Sequence, residues 1–494
     1  MITESGPQVQ RWRAFAVLAV SYFMTIVDLT IVNVSLPTIG RALHFSESNL
    51  QWVVTAYGIT FGGFLLLGGR AADLLGRRRI FMLGLAVFTA ASLGCGLARN
   101  DGQLIALRGL QGFGAAVVLP AALSIVMNMF AEGAERNKAL GLWGAIAASG
   151  ATFGLITGGL LTRYVGWEYI FFLNVPVGAA GLLLARRIVP ESRLAGVRRR
   201  FDPLGAVTVT GGLLLLVYTI SNAPKVGWAS ARTVTLLAVS AALLLAFLVI
   251  EARTGAPLMP LRIFRLRMVA VANAVGLLLG GSFFAFIFIG TLYMQQVLHY
   301  SALQTGTAWL ANSITCVALA GAAQKLVTII SAGPVMALGM ALIGGGILWA
   351  TQVPVHGHFW SALAGPFFVA GAGTAFAFVP VSIGGLTGVA GPEAGLASGL
   401  INTSQQLGGA IGVAIASTVA ATHLGTLLAE SKPANVALTG GFHWALWVCG
   451  GIALLAVPAT ATLLVRRTTA PAFLDSHLPA LQAAETTQVK APSR

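Results

Sequence analysis

The sequence predicts an all-α polytopic membrane protein with fourteen transmembrane helices, and three observations lead there. Of 494 residues, 56% are hydrophobic and 9% charged, with a mean hydropathy of +0.84, whereas a soluble domain carries about 25% charged residues. The apolar residues lie in continuous runs of about 20, the length of a bilayer-spanning helix, not in the alternating segments of roughly ten residues that build a barrel. The basic residues sit in the gaps between runs, and they are divided unequally between alternate gaps.

Each run has a readable start or stop. The first, 14–37, follows Arg11 and Arg13 and closes at Pro37; the second, 50–69, ends at Arg70; the third, 80–98, begins after Arg77, Arg78 and Arg79 and stops before Arg99. Runs 103–128, 139–162 and 169–188 follow, separated by Arg136 and Lys138 and then by Arg163. A basic stretch from Arg186 to Asp202 precedes 203–221 and 232–250. Arg253, Arg262, Arg265 and Arg267 come before 268–293, and 303–325, 333–351, 359–386, 396–421 and 443–465 complete the series. Sixty glycines suit such a bundle, because small residues let membrane helices approach closely.

Alternating the gaps from a cytoplasmic N-terminus puts 23 of the 30 basic residues inside and 6 outside, with Arg108 within a helix. Short loops rich in Lys and Arg stay cytoplasmic, so both termini are expected there. Topology therefore accounts for the +15 net charge and argues against a nucleic-acid partner, for which no domain outside the membrane segments remains. Shifting the chain by 254 residues lays helix 1 on helix 9 and helix 2 on helix 10, so six helices match six with two inserted between. The organisation is then a cytoplasmic N-terminus (1–13), a six-helix bundle (14–188), a basic linker (189–202), two inserted helices (203–251), a second linker (252–267), a second six-helix bundle (268–465) and a cytoplasmic tail (466–494), expected to be disordered. The N-terminus shows no signal-peptidase site, and its first run reads as a retained anchor. Cys95, Cys316 and Cys449 lie singly in apolar runs and read as packing residues.

Two ionisable residues fall inside runs. Asp28 lies midway along the first, in Thr25-Ile-Val-Asp28-Leu-Thr30-Ile-Val-Asn33-Val-Ser-Leu-Pro37; desolvation favours the neutral carboxyl, so it is a candidate for binding a proton near neutral pH. Its alternative is a permanently paired carboxylate that only orders helices. Arg108 lies in the fourth run and shares a helical face with Gln111 and Gly112, placing a permanent cation beside an amide and a bare backbone patch. An uncompensated arginine in hydrocarbon is prohibitive, so Arg108 must face a cavity or a carboxylate. Spacing does not decide whether that carboxylate is Asp28. The string Gly69-Arg-Ala-Ala-Asp73-Leu-Leu-Gly76-Arg77-Arg78-Arg79 reads as a tight cationic loop whose glycines permit a sharp turn, with Asp73 placed to face a helix N-terminus.

That loop resembles the signature between helices 2 and 3 of the major facilitator superfamily, and the Asp28 string resembles the helix 1 motif of its fourteen-helix drug:proton antiporter group. The helix 4 string around Arg108 is similar to that of the proton-driven exporters, as is Trp167-Glu-Tyr-Ile-Phe-Phe-Leu-Asn174-Val-Pro176-Val-Gly178 in helix 6 to the fourteen-helix group. The resemblance covers residues 14–190 and, more loosely, the rest. It implies a major facilitator fold of 6+2+6 helices, proton coupling by Asp28 and Arg108, and gating by Gly69, Asp73, Gly76 and Arg77. Gly154, Gly158 and Gly159 form a small-residue ridge in helix 5 at the place of the antiporter motif that prevents leak. The prolines of that motif would fall at Ala151 and Leu155, and both are absent.

The second bundle has no acid within its helices. Candidate substrate contacts are Asn33, Tyr57 and Gln111 in the first bundle and Phe283, Asn312, Asn402 and Gln406 in the second. The function expected is a proton-driven bacterial inner-membrane exporter of amphipathic, aromatic, neutral or monocationic compounds, with a dedicated exporter of one metabolite or antibiotic as the alternative. It is expected to act as a monomer without cofactor or metal, the proton being the driving ion. An enzyme lacks support, since no His/Asp/Glu cluster, Ser/His pair or nucleotide loop appears. A channel is disfavoured by the lack of a repeated filter motif or charged ring.

Overall fold

A computed structural model describes residues 7–130, 134–191, 202–255, 257, 259, 261–389 and 394–464. Each predicted apolar run falls largely on a helix, though 169–188 and 359–386 each begin in a separate short turn. The helices are α1 (Pro7–Ala42), α2 (Trp52–Leu75), α3 (Arg77–Gly96), α4 (Asp101–Met129), α5 (Ala134–Tyr164), α6 (Asn174–Ile188), α7 (Pro203–Val226), α8 (Ala231–Arg253), α9 (Arg267–Leu292), α10 (Ala302–Ile330), α11 (Ala332–Trp349), α12 (Ala364–Gly384), α13 (Ala394–Ala429) and α14 (Ala434–Leu464). No strand occurs among the described residues. Twelve helices among them are long and apolar enough to cross a membrane; α2, with the shorter apolar stretch Trp52–Leu65, and α5 are not in that set. The expected cytoplasmic tail and most of the basic linker fall outside the described residues.

Most helices run beyond the apolar runs because backbone hydrogen bonding continues where side chains turn polar. Helix α1 passes through Pro37 to Ala42, where the reading from sequence had stopped. Proline removes one donor, a loss that membrane helices tolerate when neighbours resatisfy the freed groups. Helix ends use ordinary devices: Asn100 caps α4 by accepting from Gln103 N, Ser230 caps α8, and Ser301 with Gln304 forms a reciprocal capping box on α10.

The expected tight loop at 69–79 is corrected. Helix α2 continues to Leu75 and α3 restarts at Arg77, so the turn is concentrated at Gly76, whose φ of 111° and ψ of 123° only glycine adopts without strain. Gly69 is helical, and a Cβ there would lie 3.4 Å from Pro120 Cβ on α4. Asp73 sits in the last turn of α2, and its side chain is outside the described residues. Arg77 is buried. Its neighbours Arg78 and Arg79 approach Glu191, beyond the end of α6, at 3.8 Å each, and Arg78 also donates to the Val189 carbonyl at 3.2 Å.

Helices α1 to α6 pack chiefly through α2 on α4, α3 on α4, α1 on α5 and α3 on α6. Helices α9 to α14 pack chiefly through α9 on α13, α11 on α12 and α14, and α10 on α12. The hairpin α7–α8 leans on both sets, with α7 against α2 and α13. Backbones meet at glycines: a Cβ on Gly114 would fall 2.6 Å from Phe88 N, and Gly280, Gly408 and Gly412 press against Gln405, Leu277 and Gly281 between α9 and α13. The two sets join through α5 on α10 and α2 on α13. These contacts run from the end where α1 terminates to mid-depth. There Gln295 donates to the Val34 carbonyl at 2.7 Å, Gly159 abuts Ala302 and Leu303, and Gly62 abuts Gln406 and Leu407.

Candidate functional site

Asp28 and Arg108 meet. Helix α1 brings the carboxylate and α4 the guanidinium into a contact of 2.6 Å between Arg108 Nη1 and Asp28 Oδ2, with the residues 0% and 1% exposed. Removing two charges from solvent is costly unless the pair is close and its remaining donors and acceptors are filled. Here they are. Gln111 Nε2 donates to Asp28 Oδ1 at 2.8 Å and Asn174 Nδ2 donates to the same oxygen at 2.9 Å. Arg108 Nε donates to the Val53 carbonyl at 2.9 Å, and Nη1 also reaches Gln111 Oε1 at 2.6 Å. The guanidinium carbon lies 4.3 Å from the centre of the Tyr57 ring and 5.8 Å from that of Phe171.

A hydroxyl ties the amides together. Ser92 Oγ on α3 accepts from Gln111 Nε2 at 3.1 Å and from Asn174 Nδ2 at 2.9 Å, and donates to the Phe171 carbonyl at 2.9 Å. That carbonyl is available because the expected single helix over 169–188 is broken. A turn spans Tyr169–Phe172, Leu173 intervenes, and α6 starts at Asn174. The break thus presents a backbone acceptor and the Asn174 amide to one place. The helix 6 string contains Asn174 without pointing to its partner, and nothing in the sequence marks Ser92. The available signal was an asparagine at the head of an apolar run, opposite a helix already carrying Asp28.

Gln111 and Tyr57, expected against substrate, belong to this cluster and are buried within it. Asn33 is buried and donates to the Leu29 carbonyl of its own helix at 2.9 Å. Phe283 packs edge-on against Phe284 and Phe378, with ring centres 5.6 and 5.4 Å away. Asn312 is buried beside the Phe367 carbonyl, and Asn402 donates to the Ser398 carbonyl of its own helix. Gln406 lies at the α2–α13 contact beside Gly58 and Gly62. A cavity of about 480 Å³ opens where α1 ends, lined by Pro37, Gly40, Arg41, His44, Phe45, Leu50 and Gln296. The helix 5 ridge divides its contacts: Gly154 meets Thr30 and the Val27 carbonyl and Gly158 meets Ile31, all on α1, while Gly159 meets Ala302 and Leu303 on α10.

The arrangement suits a charge that changes. A proton on Asp28 Oδ2 would occupy the place of the Arg108 contact, and one on Oδ1 would displace an amide donor; either loosens links between α1, α4 and α6. No group of three or more His, Cys, Asp or Glu residues able to hold a metal occurs among the described residues.

The chain is 35% identical to the puromycin resistance protein pur8 of Streptomyces alboniger, over 94% of this chain and 93% of that protein. It is 38% identical to the cephamycin export protein CmcT of Amycolatopsis lactamdurans, over 86% of this chain and 87% of that one. Among solved structures, the POT family transporter PepTSo superposes with a TM-score of 0.68 at 15% identity, covering 93% of this chain and 98% of its own, which speaks to the fold alone. A bacterial homologue of the lysosomal transporter Spinster, in an inward-facing and unoccupied conformation, gives 0.65 at 15% identity, covering 94% and 100%. The profile of the Major Facilitator Superfamily matches residues 18–413, and the chain, a multi-pass membrane protein, belongs to that superfamily.

Proposed function

We propose that this protein is a proton-driven exporter of amphipathic, aromatic, neutral or monocationic compounds, working by alternating access. The observation that carries the reading is the buried Asp28–Arg108 pair, the one contact of opposite charges described at the heart of the first six helices. A carboxylate that gains a proton releases its arginine, and one that loses it regains the pair, so proton occupancy and helix packing are linked. The named activities of relatives support export: one is a puromycin resistance protein, one a cephamycin export protein, one a multidrug resistance protein of Mycobacterium tuberculosis and one a tetracenomycin C resistance and export protein of Streptomyces glaucescens. Several of those names carry a single antibiotic, which favours a second reading: dedicated export of one such compound.

The topology in this reading is fourteen spans in a 6+2+6 arrangement with both termini cytoplasmic, α1–α6 and α9–α14 being the moving halves and α7–α8 an insertion. The basic stretches Arg77–Arg79, Arg186–Arg200 and Arg253–Arg267 then face the cytoplasm of a bacterial cell, and the protein acts as a monomer in the inner membrane. The end where α1 terminates becomes external. The Gln295–Val34, Gly159–Ala302 and Gly62–Gln406 contacts then hold the halves together on the outer side of mid-depth. The deciding experiment is uphill export of ethidium from cells or proteoliposomes with the proton gradient intact and then collapsed by an uncoupler. Export that continues undiminished without the gradient overturns proton coupling.

A further inference from the structure

We propose that Asn174 is a positioning residue for the proton event at Asp28: its amide holds the carboxylate in the ionised form and thereby sets the pH at which the site loads. The inference rests on the reading of Asp28 as the proton-binding group and adds a residue that the reading does not require. It also gives a use to the helix 6 string, which no other part of the transport cycle has taken up.

Three donors converge on Asp28, and they are not equivalent. Arg108 and Gln111 come from one helix, α4, and brace one another through Nη1 and Oε1 at 2.6 Å. Arg108 is further anchored by the Val53 carbonyl at 2.9 Å. Asn174 approaches from α6, a different helix, and its Nδ2 spends itself on two oxygens, Asp28 Oδ1 and Ser92 Oγ, each at 2.9 Å. Oδ1 accepts two amide donors, so a proton arriving there must evict one of them. Gln111 is held by the charged Arg108 and by Ser92 as well as by Asp28. Asn174 keeps only the hydroxyl of Ser92 when it leaves, and is the ligand that gives way.

The helix break makes that displacement local. Ser92 donates to the carbonyl of Phe171, in the turn before Leu173, and accepts from Asn174, the first residue after it. Both sides of the break are therefore tied to α3 through one oxygen, and the amide can swing without unwinding α6. The charged and titratable groups facing the site from the surrounding helices are Arg108 on α4, Tyr57 on α2 over the guanidinium, and Cys95 on α3, whose Sγ lies 3.8 Å from Gln111 Oε1. None of these is an amide that can substitute for Asn174.

The test reads the protonation of Asp28 directly. The carbonyl stretch of a protonated carboxyl is followed by infrared difference spectroscopy during a pH titration of the purified, lipid-reconstituted full chain, and assigned by its loss in Asp28→Asn. Asn174→Leu is close to isosteric and removes the donor, and Asn174→Ala is the second variant should the first insert poorly. Losing a hydrogen bond to the charged form weakens it against the neutral one, so either variant should move the midpoint upward by about one pH unit, a tenfold change in proton affinity. Ethidium export should shift its pH profile in the same sense. A midpoint within a few tenths of the wild type, in a variant that remains monodisperse, overturns the role of Asn174. A wild type without any band sensitive to Asp28→Asn overturns instead the reading of Asp28 on which the inference stands. A merely structural asparagine would lower stability and yield without displacing the titration.

Discussion

Removing both charges of the Asp28–Arg108 pair should cost less than removing either one, and the difference can be worked from the contacts. In Arg108→Gln the carboxylate loses its 2.6 Å partner while remaining fully buried, with only the amides of Gln111 and Asn174 to balance a whole negative charge. Breaking a buried pair this way costs about 3–5 kcal/mol. In Asp28→Asn the arginine keeps the Val53 carbonyl, Gln111 Oε1 and the face of Tyr57. The new amide must present its oxygen either to Arg108 or to the two amide donors, so one donor is left facing another. That mismatch costs about 1–3 kcal/mol, and it adds to the penalty of leaving Arg108 buried without its counter-charge, again about 3–5 kcal/mol. The double variant Asp28→Asn/Arg108→Gln removes both charges, leaves no buried ion, and should regain most of the loss suffered by Arg108→Gln.

The assay is a denaturant titration of the four proteins in lipid bicelles, with ethidium export by the same preparations in proteoliposomes under an imposed pH gradient. The expected order of stability is wild type first, then the double variant, then the two single variants close together. Uphill export should be lost in all three variants, the double variant included, because restored packing does not restore a proton carrier. If the double variant is as unstable as Arg108→Gln, the two residues are not energetically coupled and the pair is incidental. If it concentrates ethidium against a gradient, protons travel by another route.

Three further outcomes follow from the same structure. A reporter fused after Arg467 should read cytoplasmic by enzymatic activity and labelling, given the 23 to 6 division of basic residues, and an external signal removes the 6+2+6 topology. Gly306→Val should abolish export while sparing insertion: its Cβ would strike the Leu155 carbonyl, wedging α10 from α5 at the end where the halves close, and cysteines placed there should become more reactive towards an impermeant maleimide. Matched mono- and dicationic dyes should differ in export, since a second positive charge would enter low dielectric without a carboxylate partner at a cost of several kcal/mol; equal handling of the dications refutes the charge count.

What the sequence disclosed follows from which interactions are long in range and steep in energy. Apolar runs long enough for a bilayer leave the backbone only a helical solution, so every run had its helix. Asp28 and Arg108 stood out because an ion in hydrocarbon must be compensated somewhere. Their pairing was not legible: it joins residues 80 apart, and the amides complete it across 83 and 146 positions. An uncharged Asn or Ser in an apolar run costs too little to announce its partner, which hid Asn174 and Ser92. The loop at 69–79 was misread because its arginines fix the side of the membrane and say nothing of how far α2 continues. Glycine at 76 carried that information, and a neighbouring glycine at 69, which serves packing against Pro120, masked it.

The same contacts connect the charge cluster to the seam between the halves without a long path. Val27, next to Asp28, has its carbonyl packed against Gly154 on α5, and the Ile31 carbonyl packs against Gly158 one turn further. Gly159, adjacent, lies against Ala302 on α10, and Leu155 meets Gly306 on that same helix. Were Asp28 to release Arg108, a small displacement of α1 would bear on a helix whose adjoining face, at Leu155 and Gly159, meets α10. Tight glycine contacts deform little, because the atoms they admit are backbone atoms already at van der Waals distance. Here the absent helix 5 prolines acquire a physical meaning. Without them α5 runs as one helix from Ala134 to Tyr164, so a push at Gly154 is carried to Gly159 by a continuous hydrogen-bonded rod. Contiguity alone does not establish coupling; Gly306→Val tests it, since a wedge at the seam should also change the stability cost of Arg108→Gln if the two sites share one element.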